Sequence, residues 1–164
     1  MEPLFKTTLK YTLKEYEKFN NAVIKPKLIK VIIYLSLLVV CAGLLYILNP
    51  NSYLPLFLLI FIIIYPAMLY FSIKSKAKKT YESNILIKDL TESIEFYEEY
   101  FIVKTENSEA KVEYNKLYKI LETDENFYLM IADNQGYLVL KENCEDELIR
   151  FVIKTKNKLS ERRK

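Results

Sequence analysis

VIIYLSLLVVCAGLLYIL (residues 31–48) and LPLFLLIFIIIYPAMLYFSI (residues 54–73) contain no charged residue, and only the short NPNSY (49–53) separates them. Each run has the length a helix needs to cross the hydrocarbon of a bilayer, about 20 residues at 1.5 Å per residue. A central helix of a soluble bundle keeps a polar stripe at helical spacing, and neither run has one. The pair therefore predicts a transmembrane hairpin with spans at about 28–48 and 54–73. A signal peptide does not fit a run that starts about thirty residues into the chain and is followed at once by a second. The whole-chain mean hydropathy of +0.02 conceals this, because it averages the apolar middle with two charged flanks.

Prolines punctuate the hairpin. Pro26 and Pro55 stand where helices would begin and a missing N–H is harmless. Pro66 falls inside the second run, where a kink facing the partner helix is expected. Ala42, Gly43 and Ala67 are small enough to permit close approach of the two backbones.

Charge sets the expected orientation. Residues 1–30 hold seven lysines against three acids, KSKAKK (74–79) supplies four more lysines, and NPNSY has none. Lysine concentrates on the cytoplasmic side of short connections, so both termini are placed in the cytoplasm and the 49–53 loop outside. The lysines flanking the spans, Lys25, Lys27, Lys30, Lys74, Lys76, Lys78 and Lys79, are assigned to the membrane interface. KSKAKK is read as a stop-transfer flank on anionic headgroups rather than as a nucleic-acid patch.

Residues 81–164 carry thirteen basic and eighteen acidic residues, a net of −5, which suits a domain held clear of an anionic leaflet. SIEFYEEYFIVKT, KVEYNKLYKILETD, FYLMIAD and YLVLK are joined by ENSE, DEN and DNQG, the pattern of an antiparallel meander. The period then becomes helical. Asn143 is the expected cap, with Glu145, Asp146 and Glu147 in the first turn and Leu148, Phe151, Val152, Thr155 and Leu159 as the apolar stripe. The closing SERRK is expected to fray. Near the start, FKTTLKYTL alternates as a half-buried strand, with Phe5, Thr7, Leu9, Tyr11 and Leu13 on one face. Thr12 and Glu15 are spaced as a capping box for a helix bearing Tyr16, Phe19 and Val23 on one side. A lone strand is unstable, so this one should join the later sheet. The chain thus divides into a strand and amphipathic helix (1–25), a hairpin (26–74) and a β-rich region with a terminal helix (81–160), a membrane α+β architecture.

VEYNKLYKILETDENFYLMI, then NQGYLVLK and a terminal helix, resembles the YcxB-like family of bacterial membrane proteins. The likeness extends to YTLKEYEKFN before the first run and to the order of hydrophobic pair, β-rich region and helix. Tyr114 stands where many relatives place Trp, and LKEN lacks the Pro and second basic residue often seen after the last strand. The resemblance implies a cytoplasmic, antiparallel, barrel-like domain similar to a pleckstrin-homology (PH-like) domain, tethered to a bacterial plasma membrane by two spans. Some relatives with such a domain protect a producer from its own bacteriocin.

The residues limit the chemistry. There is no His, and Gly43 and Gly136 are the only glycines, so neither a glycine-rich phosphate loop nor a histidine-based metal site can form. Cys41 and Cys144 have no metal or disulfide spacing; Cys41 is read as core packing and Cys144 as a turn residue. Glu98 with Glu99, and Glu145 with Asp146 and Glu147, are sequence neighbours that do not face each other as a catalytic pair must. No catalytic, cofactor-binding or metal-ligating residue is assigned, and the chain is read as a non-enzyme. The expected role is a binding or regulatory module at the inner leaflet, engaging a protein or lipid headgroup through aromatics such as Tyr97, Tyr100, Tyr114, Tyr118, Tyr128 and Tyr137, each of which serves equally as packing. The alternative is bacteriocin immunity or a transporter-accessory role acting through the hairpin. The lipid bilayer is the implied partner.

Overall fold

The computed structural model describes residues 2–48, 53–84 and 88–162. Strand β1 (Phe5–Lys10) leads into helix α1 (Leu13–Leu48), which is followed by α2 (Leu54–Ser83). Strands β2 (Thr91–Phe96), β3 (Tyr100–Lys104), β4 (Glu109–Glu113), β5 (Lys119–Glu122), β6 (Asn126–Met130) and β7 (Gly136–Leu140) precede helix α3 (Asp146–Glu161). Most of the expected 49–53 loop, and the last two residues of SERRK, lie outside the described residues.

The strands form two antiparallel sheets, β1-β2-β3-β4 and β5-β6-β7, that are not closed into a barrel. The β-rich run KVEYNKLYKILETD is broken by a 3₁₀ turn at Tyr114–Lys116, and that break carries the chain from one sheet to the other. The front strand does join the later sheet. β1 pairs with β2 along its whole length, Phe5 opposite Phe96 and Lys10 opposite Thr91.

Between the sheets lies an apolar core. Ile94, Phe96, Phe101 and Val103 from the four-stranded sheet meet Ile120, Phe127, Leu129 and Val139 from the other, and Leu148, Val152 and Leu159 of α3 close it. Phe151 and Thr155, also expected on that stripe, are half-buried. The acidic first turn of α3 is present, but Glu145, not Asn143, takes the cap position. Asn143 ends a 3₁₀ turn instead, its amide donating to the Thr8 carbonyl at 2.8 Å. Ser160 and Glu161 are helical rather than frayed.

α1 continues across residue 25, where the sequence divides into amphipathic helix and hairpin. It runs unbroken for 36 residues, about 54 Å, through Pro26. An interior proline costs about 3 kcal/mol. Packing on both sides offsets it: Phe19 and Val23 are buried before Pro26, and Leu35 and Ala42 after it. Thr12 caps the helix, its Oγ1 accepting from the Glu15 N–H at 3.3 Å. α2 begins with Pro55 in its first turn, as expected, and continues ten residues past the apolar run, so KSKAKK is helical.

The helices meet along one seam. On α2, Pro55, Leu58, Ile62, Pro66, Leu69, Ile73, Ala77 and Tyr81 are buried or half-buried at spacings of three and four, the spacing that keeps one stripe toward a partner helix. Leu35 and Ala42 are the buried counterparts on α1. Ala42 is wholly buried, whereas Ala67 is exposed and a Cβ placed on Gly43 would meet nothing within 4 Å. Only one of the three small residues therefore serves close approach. Away from the seam the apolar side chains point outward, Ile63 being 74% exposed and Phe71 68%. Cys41 is among the exposed residues, not in a core. Both helices are long and apolar enough to cross a membrane.

Candidate functional site

The described residues hold no cluster of His, Cys, Asp and Glu that could bind a metal. Glu98, Glu99, Glu145, Asp146 and Glu147 are all exposed. What the fold builds instead is a junction between α1 and the three-stranded sheet.

β6 reads as a continuous apolar run because both its faces are buried. Phe127 and Leu129 face the core between the sheets, while Tyr128 and Met130 face the other way, with Leu138 and Leu140 of β7, onto Phe19 and Val23 of α1. The amphipathic face that Tyr16, Phe19 and Val23 foretold therefore covers the back of this sheet.

Polar contacts fix the direction of β6 along α1. At its start, the Asn126 amide donates to Glu15 at 3.3 Å and to the Tyr128 hydroxyl at 3.1 Å. Lys18 bridges Glu15, at 2.8 Å, and Glu125. Both bonds raise the affinity of Lys18 for its proton, and Lys18 holds the Glu125 carboxyl below the usual range. Midway, the Phe19 and Tyr128 rings meet edge-on, centroids 5.4 Å apart. Beyond the end of β6, Lys27 pairs with Asp133 of the β6–β7 turn at 2.6 Å. β6 thus runs beside α1 toward the apolar run, and the β6–β7 turn meets α1 at Lys27, four residues before that run.

All seven lysines assigned to the interface are exposed. Apart from the Lys27–Asp133 pair, Lys78 approaches Glu82 at 3.8 Å. The six tyrosines divide. Tyr128 is core, Tyr97 is buried and stacked on Tyr100 with centroids 4.7 Å apart, and Tyr114 packs on Phe101 and Phe151 while its hydroxyl donates to the Tyr97 carbonyl at 3.0 Å. Tyr137 meets Phe101 edge-on. Tyr118, 42% exposed, is beside the β6–β7 tip, its N–H donating to the Met130 carbonyl at 2.8 Å.

Residue-by-residue reading missed one group. Glu92, opposite Leu9 in the β1–β2 ladder, is 4% exposed, and its Oε1 is buried with no hydrogen-bond partner. Burial pushes its pKa up to about 7. Its charge in turn adds to burial in raising Tyr11 and Tyr137. The inward phase of Ile94 and Phe96 places residue 92 on the same face, a signal available from alternation alone.

No curated protein and no solved structure matches the chain. Residues 96–154, from the end of β2 through most of α3, match the family model of the YcxB-like proteins, so this stretch of the chain is similar to a YcxB-like domain.

Proposed function

We propose that this chain is an integral membrane protein whose apolar helices span a bacterial plasma membrane, presenting the β domain at the inner leaflet as a PH-like binding or regulatory module without catalytic chemistry. The single observation that carries this reading is the continuity of α1. One helix packs on the three-stranded sheet through Phe19 and Val23, then enters the charge-free run, so domain and span move as one rod. A flexible tether would leave the domain free to roam; this arrangement holds one face of it at a set height. The exposed apolar surface of both helices supports the spanning, because leaving it in water would cost about 25 cal/mol per Å². The lysines at both helix boundaries, absent from NPNSY, support cytoplasmic termini.

The test uses single cysteines in a chain lacking Cys41 and Cys144. Lys154→Cys on α3 should react with a membrane-impermeant thiol reagent only after cells are permeabilised, and Tyr53→Cys should react in intact cells. Reaction of both in intact cells would overturn the topology. A photo-crosslinker at the same two positions separates the module from a hairpin acting on a toxin or transporter. Specific adducts from position 154 support the module, and adducts from 53 alone would refute it.

A further inference from the structure

The tip of the three-stranded sheet carries an exposed surface beside the Lys27–Asp133 pair. Lys27 precedes the charge-free run by four residues, about 6 Å of helix. The headgroup layer on each side of a bilayer is about 5–8 Å deep. Asp133, bound to Lys27 at 2.6 Å, therefore stands at headgroup level if the run spans, and with it the whole β6–β7 turn. On that turn Ile131 is 40% exposed, although it directly follows the fully buried Met130. Tyr118 and Lys119 belong to the same tip, because Lys119 is registered opposite Met130 and its ammonium lies over the Tyr118 ring at 5.2 Å. Lys119 is also near enough to Asp133 to add to the lowering of its pKa that Lys27 dominates.

The chemistry of the patch is specific: an aliphatic side chain, an amphipathic ring and cations, with Asp133 as the one opposing charge among these tip residues. Aromatic and aliphatic groups flanked by lysine are what a headgroup boundary favours, and anionic lipid attracts each lysine near the surface. The remainder of the β domain is acidic, so it gains nothing from the same leaflet. Attraction at the tip and repulsion elsewhere would hold the domain upright on its end.

We propose that the β6–β7 tip is seated in the headgroup layer of the leaflet, with Ile131 and Tyr118 in the interface and Lys30 and Lys119 facing the phosphates of anionic phospholipids. This rests on the spanning reading above, and the experiment separates the two. The full chain, without its native cysteines, carries a nitroxide at Ile131→Cys, at Asp124→Cys on the opposite end of β6, or at Tyr46→Cys inside the apolar run. Each is reconstituted in phosphatidylcholine alone or in an equimolar mixture with phosphatidylglycerol. Accessibility to oxygen and to a water-soluble nickel chelate reports depth. The label at 131 should be severalfold less accessible to nickel than that at 124, and phosphatidylglycerol should lower it further. Lys30→Glu with Lys119→Glu should abolish the phosphatidylglycerol effect while leaving the 124 and 46 signals unchanged. Equal nickel access at 131 and 124, with 46 still shielded, overturns the seating and leaves the spans standing. Exposure of 46 overturns the spans themselves. Indifference to phosphatidylglycerol overturns the role of the anionic headgroups.

Discussion

Phe19 of α1 and Tyr128 of β6 meet edge-on, centroids 5.4 Å apart and planes at 60°, and through this pair a helix that continues into an apolar run is packed onto the back of a β-sheet. Both residues are buried, so the contact is dry. Phe19→Ala removes one ring and leaves a cavity beside Tyr128, at a cost of about 3 kcal/mol. Hydrogen exchange should show the β6 amides opening faster while the amides of residues 31–48 stay protected. Equal protection in variant and parent would mean that the sheet does not depend on α1.

Glu92 gives the domain a pH dependence of definite sign. Its folded pKa of about 7 lies above the ordinary carboxyl value near 4.5, so the folded chain holds a proton that the unfolded chain has released. Stability is therefore full below pH about 4.5, falls as pH rises, and reaches its lowest plateau above pH about 7, a loss on the order of 3 kcal/mol. Glu92→Gln keeps the shape and cannot ionise. Thermal unfolding in detergent micelles should show the variant more stable than the parent at pH 8 and nearly equal to it at pH 5.

Gly136 opens β7 against the backbone of its neighbour. A Cβ there would sit 2.7 Å from the Leu129 carbonyl oxygen and 2.9 Å from the Met130 Cα, and backbone atoms do not yield as a side-chain tip does. Gly136→Ala should lower stability by about 2 kcal/mol. Gly43→Ala meets nothing within 4 Å and, inside a helix, should not lower the melting temperature. The two variants side by side distinguish a packing glycine from an incidental one.

Ala42 is wholly enclosed on the α1–α2 seam. Ala42→Leu must push the helices apart and should destabilise the hairpin by about 1–3 kcal/mol. Unfolding by a denaturing detergent would read this directly. An unshifted midpoint would show that the seam is loose at this level.

Charge and periodicity alone were enough to define the apolar pair, the front strand with its Thr12 cap, the strand-rich region and the stripe of α3, because each depends on neighbours a few residues apart. Three features needed the tertiary structure. Pro26 stays inside a helix because contacts far along the chain, Phe19 on Tyr128 and Leu35 on α2, outweigh a local penalty. Asn143 leaves the cap to Glu145 because its amide finds the Thr8 carbonyl, 135 residues away in sequence. β4 and β5 lie in different sheets because the turn at Tyr114–Lys116 redirects the chain between them. The β6–β7 tip and the buried Glu92 likewise owe their character to what surrounds them in space, since exposure, height along α1 and the absence of a hydrogen-bond partner are properties of packing, which a string of residues does not contain.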